Sequence, residues 1–160
     1  MSKIISPGGL YIDKAWTQAG IGSCVHVKSN QEKHVDFLFD CGVFDPTCQS
    51  ARHIFITHGH TDHIGAAVTH ARSLGLIKSQ PPTYYVPHSL VEDLQKAQAA
   101  FSALDGSDIP MSIVAIGPGD VIQLGANYKV VAFPTEHRVV SHGYAVYSKG
   151  WNNYFFYPHI

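Results

Sequence analysis

Charge is the first thing this 160-residue sequence has little of. Asp, Glu, Lys and Arg make up 14% of it, and 11 basic residues nearly cancel 12 acidic ones. That balance lacks the basic stripe with which proteins grip nucleic acid. Cysteine is scarce too. Cys24, Cys41 and Cys48 are odd in number and show no CxxC spacing, which argues against a disulfide framework or a zinc ribbon and fits a reducing compartment. No run approaches the roughly 20 apolar residues that span a bilayer, and the opening MSKIISPGGL holds no apolar core of signal-peptide length. Repeats, low-complexity tracts and linkers are missing as well. The expectation is one soluble, intracellular domain over residues 1–160, with 45% hydrophobic residues for a core and room to bury roughly two-thirds of its unfolded surface.

What is present is a string of short strands with two helices set among them. Gly22 to Val27, Val35 to Asp40 and His53 to Thr57 are brief runs rich in β-branched and aromatic residues, and they read as neighbours in one sheet. Beyond them Ile64, Ala67, Val68, Ala71 and Leu74 recur at helical spacing as far as Gly75. Thr83 to Val86 reads as a further strand. Ser89 is expected to cap a second helix, with Glu92 completing a capping box and Leu90, Val91, Leu94, Ala97, Phe101 and Leu104 forming the buried side. From Ser112 the pattern is β again: SIVAI, a Gly117-Pro118-Gly119-Asp120 turn, VIQL, YKVVAF, HGYAVYS and NYFFY.

Histidine is the abundant residue, 11 in all, and its densest cluster is ITHGHTDHIG, residues 56–65. Alternate residues of an extended segment point the same way, so His58 and His60 leave the strand end on one face and can grip one ion. Asp62 and His63 follow where a helix begins and suit a second ion beside the first. Neutral imidazole and carboxylate are ligands for zinc or another divalent first-row metal, and a catalytic site keeps one position open for water. Gly59 and Gly65 allow tight bends there. His142 lies beside Ser141 and reads as a solvent-facing strand residue, with a phosphate contact as the alternative. His26, His34, His53, His70, His88 and His159 read as structural.

THGHTDHIG resembles the HxHxDH signature of the metallo-β-lactamase superfamily, whose fold is an α+β, αββα sandwich with a metal site at one edge of its two sheets. Within it the chain resembles ribonuclease Z (tRNase Z), the endonuclease that trims precursor tRNA 3′ ends, in its short plant-type form. VDFLFDCG, ending past Asp40, is similar to that family's first motif. GLIKSQPPTYYVP, from Gly75 to Pro87, and FPTEHRVVSHGYAVYS, from Phe133 to Ser148, match later ones. The resemblance implies that His137 joins His58 and His60 on a first metal and that Asp62 and His63 belong to a second. It implies also that Asp40 orients a ligand imidazole from behind and fixes its tautomer, and that Ser141, Gly143 and Tyr144 shape the substrate pocket. Zinc, as one or two ions, is the implied cofactor, with manganese as an alternative. The implied reaction is metal-assisted phosphodiester hydrolysis, leaving a tRNA with a free 3′-hydroxyl and a trailer with a 5′-phosphate, and Asp62 guides a proton.

In the family the chain continues well beyond Ser148, with a bridging aspartate in Gly-Asp-Thr, a general-acid histidine in His-Glu-Ala-Thr and a last histidine for the second metal. None has a counterpart before Ile160. The expected fold is therefore an incomplete sandwich, its first half plus the start of the second sheet. At most one ion should be well bound, and processing by this chain alone should be weak or nil. An apolar sheet face, larger than the few hundred Å2, roughly, that soluble monomers expose, should be left open, together with the run Trp151 to Tyr157. A dimer or other homo-oligomer, or a missing C-terminal half, would cover it. Two other readings stay open: another hydrolase of the superfamily, glyoxalase II-like or a lactonase, and a non-catalytic binding protein on the same scaffold.

Overall fold

The structure, a computed structural model, describes residues 5–77 and 80–157, with side chains as far as residue 150. Its first sheet has the spatial order β1 (Leu10–Gln18), β2 (Gly22–Ser29), β3 (Asp36–Phe39), β4 (His53–Phe55), β5 (Thr83–Pro87) and β6 (Ser112–Ile116). β1 to β3 pair antiparallel, and β3 to β6 run parallel. Parallel neighbours need crossover connections. Two of them are helical: α1 (Thr61–Ile64) with α2 (Ala67–Leu76) joins β4 to β5, and α3 (Val91–Asp105) joins β5 to β6. The second sheet is antiparallel, in the order β10 (Trp151–Tyr157), β9 (His142–Ser148), β8 (Tyr128–Pro134), β7 (Val121–Leu124).

The period of two in the central strands sorts side chains between two cores. Phe37, Phe39, Phe55 and Tyr85 point towards the second sheet and meet Tyr128, Val130, Tyr144 and Val146. Leu38, Ile54, Ile56, Tyr84 and Val86 point the other way and pack with Ala67, Val68, Ala71 and Leu94 of the helices. Aromatic rings lock the sheet interface, with Phe55 stacked on Tyr85 at 4.7 Å and Phe39 stacked on Tyr144 at 5.8 Å. Each such buried ring contributes on the order of 1.5–3 kcal/mol. Their polar ends are satisfied: Tyr144 donates to the Ile56 carbonyl at 2.6 Å and Tyr84 to that of Ala67 at 2.7 Å. The result is helix, sheet, sheet, the metallo-β-lactamase arrangement expected of the first half of the sandwich.

Several expectations are corrected. A nine-residue edge strand, LYIDKAWTQ, precedes Gly22. Its polar Asp13, Lys14, Thr17 and Gln18 mask the strand signal because an edge strand is half solvated. The first helix is broken in two at Gly65 and Ala66. Ser89 makes no cap bond, since a 3-10 turn over His88–Leu90 moves the helix start to Val91. The buried stripe of α3 is also rotated from the apolar one. Leu94 is buried, whereas Phe101 and Leu104 are 49% and 84% exposed. The returning chain instead meets Gln98, which donates to the Ile109 carbonyl at 2.8 Å, and Ser102, which accepts from the Ile109 amide at 3.2 Å. The outer side of the second sheet is partly apolar, with Val121 54% exposed beside Val131. That side carries exposed Lys129 beside half-buried Val131, Phe133 and Tyr147, with the Lys129 ammonium 5.3 Å from the Tyr147 ring centre. The side chains of Trp151 to Tyr157 lie outside the described residues, as does His159.

Candidate metal centre

The carboxyl ends of parallel strands are where α/β sheets build their sites, and three elements meet there. β3 runs into Asp40, which takes a left-handed φ of 56°. β4 runs into the loop Thr57–His60, and the loop after β8 carries His137. The start of β9 is stitched to the histidine loop by the His142 amide, which donates to the Thr57 carbonyl at 2.9 Å. Gly42 is obligatory for the close approach of the β3 end to α1, because a Cβ there would fall 1.8 Å from the Asp62 carbonyl oxygen.

Three imidazoles converge from these stretches. His58 Nε2 lies 3.0 Å from His60 Nδ1, and His137 Nε2 lies 3.4 Å from the same atom. The ligand atoms of the three all fall within 4.8 Å of one another, a grouping able to hold a metal ion. They range from buried His58 to exposed His137 and open on a pocket of about 230 Å³ that Asp62, His63 and Arg138 also line.

Hydrogen bonding decides which ring nitrogens face the pocket. Thr57 donates its amide to Asp40 Oδ1 at 2.8 Å and its hydroxyl to the same carboxylate at 3.0 Å. With its single proton so used, the hydroxyl oxygen accepts from His58 Nδ1 at 2.9 Å, which leaves the Nε2 lone pair facing the centre. Asp40 Oδ2 accepts from His63 Nδ1 at 2.8 Å. Fully buried Asp40 therefore sets two rings at once, His63 directly and His58 through Thr57. Burial pulls the His63 pKa down, but the Asp40 bond and charge outweigh it and the net shift is upward.

Asp62 and His63 sit beside the three-histidine group rather than in it. Asp62 Oδ2 accepts from the Gly20 amide at 2.8 Å and lies 3.8 Å from His63 Nε2. The Gly20 bond, ahead of other causes, holds its carboxyl below the usual range. Ser141, Gly143 and Tyr144 do not line the pocket; they support it from behind. The Thr135 hydroxyl donates to Ser141 Oγ at 2.9 Å, clasping the loop that carries His137. A Cβ on Gly143 would strike the Phe133 ring at 2.3 Å. His142 is buried rather than solvent-facing, and its Nδ1 has no hydrogen-bond partner among the described residues. Sequence reasoning missed Thr57 and Gly20. Thr57 adjoins His58 in sequence, but only the third dimension shows where its hydroxyl proton goes.

This architecture and cluster define a class: the chain belongs to the family described as the Beta-lactamase superfamily domain, whose pattern matches residues 33–157. Within that class it is similar to the nuclear ribonuclease Z of Triticum aestivum, 34% identical over 114 residues that make up 71% of this chain and 65% of that protein. It is also similar to tRNase Z TRZ1 of Arabidopsis thaliana, 36% identical over 110 residues, 69% of this chain and 39% of the relative. The crystal structure of human tRNase Z, short form, shares the fold with a TM-score of 0.62 at 21% identity, covering 81% of this chain and 59% of the other. The chain thus spans less than two thirds of the length of each of these relatives.

Proposed function

We propose that this chain supplies the metal-gripping part of a phosphodiesterase of the ribonuclease Z type, acting on precursor tRNA. The observation that carries the reading is the meeting of the His58, His60 and His137 ring nitrogens within 4.8 Å, in a chain similar to ribonuclease Z along most of its length. The donor set fits a metal: three imidazoles, one with its tautomer fixed by Thr57 and Asp40, are the ligands that hold one zinc, with manganese as the alternative. When bound, such an ion supplies a Lewis acid and lowers the pKa of its water.

The chain's own residues do the rest. Asp40 and Thr57 aim the His58 lone pair before any ligand arrives. Asp62, kept ionised by the Gly20 amide, accepts a proton at its carboxylate as general base. Arg138, in the pocket lining, meets a phosphate oxygen. Asp62 and His63 by themselves are too few donors for a second tightly held ion. Processing by this polypeptide alone is accordingly weak or nil, and a second copy or a further segment completes the site. The three free thiols favour a reducing compartment, and no helix among the described residues is long and apolar enough to cross a membrane.

The test has two readings, metal content and cleavage. The purified chain should bind about one zinc, in keeping with one three-histidine set, and should cut precursor tRNA poorly with zinc or manganese added. Light scattering then shows whether it self-associates. Zinc binding that survives His137→Ala sinks the ligand assignment. Turnover of a thioester with no action on tRNA moves the chain to another hydrolase class.

A further inference from the structure

On the helix side of the first sheet, away from the histidine pocket, lies a second cavity of about 280 Å³. Trp16, Val43 and Phe44 give it apolar walls, and Cys24 and Cys48 form part of its lining. Lys14 and Asp45, an ion pair, stand at its rim. Cys48 ends a 3-10 turn, Pro46–Cys48, which Asp45 caps by accepting from the Thr47 amide at 2.8 Å. Cys24 lies on β2, and both cysteines line the same cavity.

Behind Cys48 stands an imidazole and carboxylate relay. His26 is fully buried, with its Nε2 bonded to Asp36 Oδ1 at 2.5 Å. Asp36 is fixed in turn by Ser50, whose hydroxyl donates to its other oxygen at 2.6 Å. The remaining ring nitrogen, Nδ1, makes no hydrogen bond, although Asp13 Oδ2 lies 3.8 Å from it, and the Cys48 thiol stands beside this ring. Nucleophile beside base, with the base oriented by a third group, is the arrangement that activates a thiol. None of these residues enters the chemistry of the histidine centre.

We propose that Cys48 and Cys24 are a peroxide-oxidisable dithiol reached through this pocket, with Cys48 the attacking sulfur and Cys24 the sulfur that closes a disulfide. The neighbouring Cys24 thiol holds the Cys48 thiol below the usual thiol range, burial opposes it, and His26 adds to the lowering. In the first step the Cys48 thiolate attacks one oxygen of hydrogen peroxide and the O–O bond breaks. The departing hydroxide takes a proton from His26 and leaves as water, with a sulfenic acid on Cys48. In the second, the Cys24 sulfur attacks the Cys48 sulfur, its proton leaves with the hydroxyl as a second water, and the S–S bond forms. Two electrons have passed from the sulfurs to the peroxide, and a dithiol reductant reverses the change. Cys41 is an internal control, since it is equally buried, its thiol is pushed up by burial, and it does not line the pocket.

Peptide mapping of the 160-residue chain after graded hydrogen peroxide, with alkylation of free thiols, is the test. The expected product is a linked Cys24 and Cys48 peptide, lighter by two hydrogens and restored by dithiothreitol, with Cys41 still alkylated. In Cys24→Ser, sulfenic acid should accumulate on Cys48 and be trapped by dimedone. Oxidation of Cys41 ahead of Cys48, disulfides between chains in place of the internal one, or an unlinked sulfenic acid in the unsubstituted protein would each overturn the proposal. Because the first measurement uses the unsubstituted protein, a variant that fails to fold does not shield it.

Discussion

Two carboxylate and imidazole assemblies stand on the first sheet, one at its edge and one within it. At the edge, Asp40 accepts hydrogen bonds from His63 and Thr57 and so turns ring nitrogens out towards a pocket. Inside, Asp36 binds Nε2 of His26, and the rest of that ring faces thiols under the helices. The pairing is the same, and the outcome depends on which ring nitrogen the carboxylate occupies and what the other one meets. On the functions proposed above, an aspartate behind a histidine prepares a metal ligand in the first place and a thiol activator in the second.

The largest expected effect separates the two directly. His137→Ala should weaken zinc binding by more than about a hundredfold, since a structural zinc site shares out at about 3–4 kcal/mol per ligand. His26→Ala should leave zinc affinity unchanged. Competition against a chromophoric chelator reads both, and equal losses would erase the distinction between the assemblies.

Acid probes the buried side. His70 Nδ1 donates to the Tyr84 hydroxyl at 2.7 Å, which itself donates to the Ala67 carbonyl. Burial, the chief cause, lowers the His70 pKa from 6.5 to about 4. The folded state resists a proton that the unfolded chain accepts. Stability is therefore complete above pH 6.5 and falls as the pH drops towards about 4, by about 3 kcal/mol at the limit. Denaturant titrations over that range should show the loss in the natural sequence and a flatter profile in His70→Asn.

Asp40→Asn comes next, with zinc affinity falling about 10–100-fold, the usual consequence of losing the partner behind a metal-binding histidine. An unchanged affinity in a folded variant would mean that His58 and His63 hold their tautomers without it. The smallest effect is reserved for the outer face of α3. Phe101→Ser should alter unfolding free energy by no more than about 0.5 kcal/mol, because the ring is already half in water.

Legibility followed burial. Strands buried on both faces, such as DFLF and TYYVP, carry continuous apolar runs and were readable, and so was the His58 to His63 spacing. The β1 strand was not, because an edge strand alternates polar residues into solvent. The buried side of α3 was misread for a related reason: Gln98 and Ser102 meet the returning chain through hydrogen bonds, and a hydrophobic pattern carries no trace of those. The thiol assembly was invisible. Its members, at positions 24, 26, 36, 48 and 50, come from β2, β3 and the turn between β3 and β4, with no motif spacing among them.

The sequence by itself determined the order of elements, the apolar faces of the central strands and the residue types able to bind a metal, because each depends on neighbours a few positions apart. The tertiary structure alone decided that His137 arrives at His60 from 77 positions away, that the Thr57 hydroxyl proton goes to Asp40, and that Cys24 meets Cys48. Those outcomes depend on which strands pair and in which register, a choice made by the packing of the whole sheet rather than by any local stretch of chain.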